Sequence, residues 1–530
     1  MLAKLAVGTL TALILITSSP INAQQTAPGI TPSSLAKLTT VDPRFQSYNI
    51  EMLEVTGGRF WKPYTAASTP SQPSAESSST PAGMSPDLYA YRPPKDLSNP
   101  RLRKLAAALG PAYVRVSGTW ANSTYLPAEG ESISKPPAVF NGILTRAQWK
   151  GVIDFARVAN ADLVTSFSTS VGTRDANGLW TTTQAQRLVD LTNSLGGHIA
   201  AAEYMNEPTF AMIGGAPKGY DAAQYGRDLR VFTAFMRQHA PKTLIAGPGS
   251  VGESANSAGD LGGNMPGFLA TPKLLAVMKP DEIDVFSYHS YSGVSQRCAS
   301  AGMAAPHSSE ETALSEEWLA RTDAILNFYR QLRDQFSPGK PLWITETGET
   351  ACGGDPWAST FLDSFRYLDQ LGRLAKGGVK VHMHNTLAAS DYGLLDENTY
   401  APRPNYWAAL LWHHLMGTTV LDAEVPLQQG LHVYAHCLVN RPGGVALLII
   451  QNDREAAHSL DLPTGGERYT LSAPRLDGQD VMLNGTHLSL GAQDQLPELK
   501  PIAERGGVEH FAPTTITFIA FPNAHNTACQ

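Results

Sequence analysis

Two glutamates at the ends of two apolar segments carry the chemistry of this chain. Ile199-Ala200-Ala201-Ala202 reads as a short buried strand and runs into Glu203-Tyr204-Met205-Asn206-Glu207-Pro208. Pro208 has no N–H to donate to a ladder, so the strand ends before it and Glu207 stands at its C-terminal tip. Far downstream, Leu342-Trp343-Ile344-Thr345-Glu346 ends in the same way. Two carboxyls on the tips of parallel strands suit cleavage of a glycosidic bond, one as the acid and the other as nucleophile or base. The charge of Glu346 is expected to raise the pKa of Glu207, because like charges resist joint ionisation. Asn206 offers an amide to the sugar 2-hydroxyl, a contact that strengthens in the transition state. Arg115, in the strand Ala112–Ser117, is the cation expected to hold Glu346 ionised. Glu203 lies on the strand itself and reads as a paired structural carboxylate.

The elements that must position these residues alternate along the chain. Apolar strands are predicted at 47–52, 112–117, 162–167, 199–207, 244–247, 282–287, 342–346 and 379–384. Amphipathic helices are predicted at 100–109, 145–159, 182–195, 224–239, 315–334, 360–375 and 404–416. Eight strands in strict alternation with helices argue for an α/β fold, a (β/α)8 TIM barrel over 46–417. From 418 to 530 the texture changes. Val433–Leu438, Val445–Ile450 and Thr515–Ala520 are strand-like runs separated by Gly, Pro, Asn and Asp, which reads as an accessory β-sandwich domain.

The charge balance excludes some functions. Net charge is −7 with 16% charged residues, which gives nucleic-acid binding no electrostatic support. Lys4 followed by the apolar run Leu5–Ile16 and a small residue at Ala23 reads as a signal peptide over 1–23, too short to span a bilayer. The mature protein is therefore expected to be secreted or periplasmic, with no membrane association after removal of the signal. Ala66–Pro86 is rich in Ser, Pro, Thr and Ala and reads as a loop insertion after the first strand. The four cysteines show no metal-like spacing, and an exported compartment permits disulfides. Cys437 and Cys529, both in the C-terminal region, are the expected pair. Cys298 and Cys352 both fall in loops after barrel strands, and their pairing stays open. His382-Met383-His384 places two imidazoles on one face of a strand but lacks a third ligand in a metal-like motif, so no metal and no cofactor is expected. Asn122-Ser123-Thr124 and Asn484-Gly485-Thr486 are sequons by pattern only.

Beyond these features, Trp343-Ile344-Thr345-Glu346-Thr347, Gly353-Gly354, Phe365-Arg366-Tyr367-Leu368-Asp369-Gln370-Leu371-Gly372, Asp391–Asn398 and Pro404-Asn405-Tyr406-Trp407 form a recurring set. Together with Asn206-Glu207-Pro208, Pro111–Arg115 and Val433–Cys437, the chain is similar to the heparanase/β-glucuronidase family, glycoside hydrolase family 79. The resemblance covers nearly all of the mature chain apart from the Ser/Pro-rich insertion. It implies a barrel with a β-sandwich to which part of 24–45 contributes, and a disulfide tying the sandwich, which favours Cys437–Cys529. It also implies Glu207 as acid/base and Glu346 as nucleophile. His289 and Tyr291 enter the site by the same resemblance, with Tyr291 on the nucleophile, and Glu51 matches a sugar-binding acid. Gly353, Gly354 and Tyr392 match positions that hold a uronic carboxylate, and Asn385 a polar substrate contact.

The implied substrate is a carbohydrate containing glucuronic acid. Sulfated polymers need a cationic cleft, whereas Glu253–Asp260 holds no basic residue. An exo-acting β-glucuronidase is therefore favoured over an endo-acting, heparanase-like one. A non-catalytic carbohydrate-binding protein on a retired barrel is the rival from another class, and retention of both glutamates argues against it.

Overall fold

The computed structural model describes residues 27–64, 85–254, 265, 267–300 and 306–530. The expected signal peptide, nearly all of the Ser/Pro-rich insertion and most of 253–260 lie outside the described residues. Eight apolar segments close into a parallel barrel: β1 (Gln46–Glu51), β2 (Ala112–Ser117), β3 (Ala161–Ser166), β4 (Ile199–Glu203), β5 (Leu244–Ser250), β6 (Val285–Ser290), β7 (Leu342–Thr347) and β8 (Val381–His384). β8 pairs with β1, His382 opposite Gln46 and His384 opposite Tyr48, which closes the ring. Helices follow the strands: α1 (Pro100–Ala107), α2 (Arg146–Val158), α3 (Thr183–Ser194), α4 (Ala222–His239), α5 (Thr271–Ala276), α6 (Arg321–Phe336), α7 (Phe361–Lys376) and α8 (Pro404–Leu415). Thr145 with Gln148 and Asp221 with Gln224 form capping boxes that start α2 and α4.

Inside the ring, Tyr113, Val164, Ala201, Ala246, Val285, Trp343 and Met383 fill the lower layer. The next inward positions up β2, β4 and β6 are Arg115, Glu203 and Ser287, two residues on along each strand. The barrel floor is thus apolar and the layer above it is polar and charged.

The C-terminal sheet runs antiparallel in the order Lys37–Thr40, β9 (Met416–Leu421), β10 (His432–Leu438), β11 (Val445–Gln451), β15 (Thr515–Phe521) and β13 (Glu467–Ser472), with three two-residue strands at its far edge. One face packs on the barrel through Tyr434, Leu448, Ile450 and Phe518. The approach is close: a Cβ on Gly372 of α7 would stand 2.4 Å from the Tyr434 ring. The other face is covered by a two-stranded ribbon, β12 (His458–Leu462) with β14 (Gly507–Phe511), through Leu460, Leu462 and Phe511. The sandwich is therefore unequal, with a broad sheet between a narrow ribbon and the barrel helices. The strand at Lys37–Thr40 comes from the 24–45 lead-in and pairs with β9.

Three boundaries differ from expectation for local reasons. The strand predicted at 282–287 begins at Val285 because Glu282 turns its carboxylate back to the Lys279 N–H at 2.8 Å. Asp284 likewise accepts from the Ile245 N–H at 2.8 Å, in the turn before the strand. The helix predicted over 315–334 is two, Glu316–Leu319 capped by Ser315 and then α6. β4 ends at Glu203, so Glu207 sits four residues past the strand, in a turn. Both disulfides form, Cys437–Cys529 within the C-terminal region and Cys298–Cys352 between the loops after β6 and β7.

Candidate active site

Arg115 is the hub at the mouth of the barrel. It is 1% exposed, and its three guanidinium nitrogens reach four side chains. Nε donates to Glu203 Oε2 at 2.9 Å and Nη1 to Glu346 Oε2 at 2.9 Å. Nη2 donates to Asn206 Oδ1 at 2.7 Å and lies 3.3 Å from His289 Nε2. Glu203 is completed by Ser287 Oγ at 3.0 Å and Thr345 Oγ1 at 2.7 Å on its other oxygen. Burial alone would raise Glu203, but the Arg115 charge and the Thr345 hydroxyl hold it below its ordinary value.

Thr345 and Glu346 are adjacent yet both point into the barrel. A regular strand would send them to opposite faces. The β6–β7 register shifts between Tyr288 and His289, so that Tyr288 faces Ile344 while His289 faces Glu346. This irregularity, with Asn49 Nδ2 on the Thr345 carbonyl at 3.1 Å, re-aims Glu346 at the cleft. Glu346 Oε2 rests on Arg115, and Oε1 accepts from Tyr291 at 2.8 Å.

Glu207 reaches the same space from β4. Its backbone is left-handed, φ 48° and ψ 63°, which turns its side chain in toward the cleft before Pro208 starts a short 3-10 turn. His289 Nδ1 lies 2.9 Å from Glu207 Oε1. Because the Arg115 N–H faces Nε2, that nitrogen is the acceptor, and the proton of the neutral ring sits on Nδ1, directed at Glu207. Burial pushes His289 down to about 4, which keeps the ring neutral. Glu207 retains 18% side-chain exposure at the cleft floor. The protein still surrounds it closely enough that burial, offset by Arg115 and assisted by Glu203, pushes its carboxyl up to about 7. Desolvation is thus the leading cause, where the sequence had suggested the Glu346 charge.

A second chain of hydrogen bonds lines the opposite wall. Asn385 Nδ2 lies 3.1 Å from Glu51 Oε1, the Tyr291 hydroxyl and the Tyr392 hydroxyl. Burial, and then the charge of Glu346, drive Glu51 well above its ordinary value. Glu51 Oε2, Asn385 Oδ1 and Asn206 Nδ2 are buried without a protein partner. Gly353 and Gly354 have φ of 82° and 85°, and a Cβ on Gly354 would touch the Tyr392 ring at 3.2 Å. Their turn is held from behind. Arg297 Nη1 caps the Cys352 and Gly354 carbonyls, and Ser390 Oγ caps Gly353 O at 3.0 Å.

The structure therefore joins Glu207, Glu346, Arg115, Asn206, His289, Tyr291, Asn385, Glu51 and Tyr392 in one network, with Gly353 and Gly354 beside it. His382 and His384 face elsewhere, His382 Nε2 to Gln370 Oε1 at 3.1 Å and His384 Nε2 to the Tyr392 carbonyl at 2.8 Å. Among the described residues, Glu207, His289 and Glu346 alone bring three ligand-type atoms within 4.8 Å of one another. In that group Arg115 and Tyr291 already hold the Glu346 oxygens, and His289 Nδ1 faces Glu207, so each donor serves a hydrogen bond. Two residues at the site have no site role in the sequence reading: Gly118, and Asn122, which figures there only as a sequon. A Cβ at Gly118, φ 95°, would fall 1.6 Å from Glu51 Oε2. The amides of both sequon asparagines are engaged internally, Asn122 with the Asn206 backbone and Asn484 with the Arg468 and Lys500 carbonyls.

This arrangement predicts a pH limb. If Glu207 acts as the acid, kcat/KM on a glycoside with a poor leaving group falls tenfold per pH unit above about 7, as Glu207 loses its proton. Glu207→Gln removes that limb. A wild-type profile that stays flat through pH 8.5 would remove Glu207 from the role.

Residues 96–372 match the model of the glycosyl hydrolase family 79 N-terminal domain. Heparanase-like protein 1 of Arabidopsis thaliana is 25% identical over 494 residues, covering 82% of this chain and 86% of the relative. Baicalin-beta-D-glucuronidase of Scutellaria baicalensis is 33% identical over 189 residues, 34% of this chain and 36% of its own. Among solved structures, a 4-O-alpha-L-rhamnosyl-beta-D-glucuronidase from Fusarium oxysporum superposes with a TM-score of 0.60 at 14% identity, covering 93% of this chain and 99% of that one, a likeness of fold.

Proposed function

The chain belongs to glycoside hydrolase family 79, and from that premise we propose that it is a retaining β-glucuronidase that removes terminal glucuronic acid. One observation carries the stereochemical part: a carboxyl oxygen of Glu207 and one of Glu346 lie within 4.8 Å of each other. That is the close spacing of a double displacement, since inverting enzymes separate their carboxyls by roughly 6.5–9.5 Å to admit a water. Glu346, balanced by Arg115 and aligned by Tyr291, attacks the anomeric carbon. Glu207 gives its proton to the leaving oxygen as the glycosidic bond breaks. Glu207 then takes a proton from water, the water oxygen bonds to the anomeric carbon, and the Glu346 ester bond breaks to release the sugar.

The uronic specificity rests on the Gly353–Gly354 turn and the Tyr392 hydroxyl. With the turn's carbonyls drawn back by Arg297 and Ser390, its N–H groups are free to meet a carboxylate. The name of the Scutellaria baicalensis relative, baicalin-beta-D-glucuronidase, supports a glucuronide substrate. Three arginines near this turn are paired with carboxylates, Arg297 with Asp391, Arg92 with Glu397 and Arg403 with Asp396. That pairing supports an unsulfated substrate over a sulfated polymer. An exported site of action is supported by the two disulfides. No helix among the described residues is long and apolar enough to cross a membrane.

The test is 4-nitrophenol release from the aryl β-D-glucuronide beside the matching glucoside and xyloside. A glucuronide preference of about 10⁴-fold is expected, the discrimination typical of a site whose buried donors would otherwise be left unpaired. Equal rates on glucuronide and glucoside would overturn the uronic pocket.

A further inference from the structure

We propose that Asn122 is a positioning residue for the acid/base Glu207, acting as a two-point amide clamp on the backbone of Asn206, the residue that precedes it. The proposal rests on the reading of Glu207 above. Asn122 lies in the 3-10 turn Thr119–Ser123 after β2, 2% exposed. Its Oδ1 accepts from the Asn206 N–H at 2.9 Å and its Nδ2 donates to the Asn206 carbonyl at 2.9 Å. The second contact fixes the plane of the Asn206–Glu207 peptide. Its effect is local, because Glu207 is the residue whose backbone takes the left-handed conformation and so sets where the carboxyl points.

The clamp is itself fixed. The Asn122 carbonyl accepts from the Thr169 N–H at 2.8 Å, the Ser170 N–H at 2.9 Å and the Ser168 hydroxyl at 3.0 Å, all in the loop after β3. A Cβ on Gly214 would stand 2.3 Å from Asn122 Nδ2, so the loop beyond Glu207 closes over the amide from the other side. The loops after β2, β3 and β4 therefore meet at this one residue, the β3 loop on its carbonyl and the β4 loop on its amide. Only a primary amide of this length presents both an acceptor and a donor here. Aspartate offers two acceptors and faces the Asn206 carbonyl with a lone pair until it is protonated.

Positioning and folding roles separate by leaving group. General acid catalysis matters for a poor leaving group and little for a good one. Asn122→Ala and Asn122→Asp, as full chains, would be assayed with phenyl and 2,4-dinitrophenyl β-D-glucuronides, with thermal midpoints recorded alongside. The expected result is a loss of about 10²-fold in kcat/KM on the phenyl substrate, with the dinitrophenyl value within about fivefold of wild type. On the dinitrophenyl substrate the second step becomes limiting, and azide restores kcat. Azide nitrogen bonds to the anomeric carbon as the Glu346 ester bond breaks, giving the β-glucuronosyl azide with no base required. Asn122→Asp should regain activity on the phenyl substrate at acidic pH, where its carboxyl donates to the Asn206 carbonyl. Equal losses on both substrates with no azide product would make Asn122 merely structural, and unchanged rates would make it a bystander. Absence of wild-type turnover on both glucuronides would overturn the glucuronidase reading, and this proposal with it.

Discussion

Glu346→Gln lowers kcat/KM on an aryl β-glucuronide by on the order of 10⁴-fold or more while leaving sugar binding intact. The loss is large because the amide cannot form the glycosyl ester, so the path loses its intermediate and not merely a favourable contact. Binding survives because the amide keeps the shape of the carboxylate. Its oxygen can still accept from Arg115 Nη1, and its NH2 can turn to the Tyr291 hydroxyl. The unpartnered polar atoms of the site, Glu51 Oε2, Asn385 Oδ1 and Asn206 Nδ2, belong to other residues. Steady-state kinetics read the first effect and calorimetric titration with glucuronic acid the second. Residual activity within tenfold of wild type would mean that another group is the nucleophile. Wild-type binding with no turnover in either protein would support the retired-barrel alternative.

The barrel is legible in the sequence because most of its strands are apolar runs and the helices between them are amphipathic, three of them with capping side chains at Asn99, Thr145 and Asp221. Glu207 is legible because Pro208 sets an outer limit to the segment, although the strand itself stops earlier, at Glu203. The inward turn of both Thr345 and Glu346 is not legible, since no residue type announces the register shift, and alternation alone would point one of them outward. The late start of β6 is hidden for a similar reason. Glu282 and Asp284 look like ordinary strand-flanking acids until their turn contacts are seen. The unequal sandwich is masked because Val445–Ile450 is buried on both faces, whether a full sheet, a ribbon or a helix layer covers it. Asn122 is legible only as a sequon, because polar residues in a loop read as solvated, and only the fold brings its amide to the Asn206 backbone. The Cys298–Cys352 bridge likewise depends on how two loops approach, which neither loop specifies alone.

Arg115→Met destabilises the fold by about 3–5 kcal/mol, as expected when one partner is removed from a buried ion-pair group and the others keep their charge. Glu203 is 1% exposed and Glu346 6%, so neither carboxylate can turn to bulk water when the cation is gone. Ser287 and Thr345 still serve one oxygen of Glu203, which softens the loss without removing the charge. The two carboxylates then face each other across the barrel mouth with no cation between them. Glu203→Gln added to Arg115→Met should recover part of the stability, because it neutralises the better buried of the two. It should not recover activity, because Glu346 still lacks the cation that balances it and Asn206 lacks the donor on its Oδ1. Arg115→Lys separates charge from geometry. A single ammonium keeps the charge but cannot reach Glu203, Glu346 and Asn206 together, so stability should be largely retained while kcat falls. Urea denaturation and steady-state kinetics on the three variants measure both sides. An Arg115→Met protein as stable as wild type would mean that the charged layer above the floor is open to water, and the desolvation argued for Glu207 would fall with it.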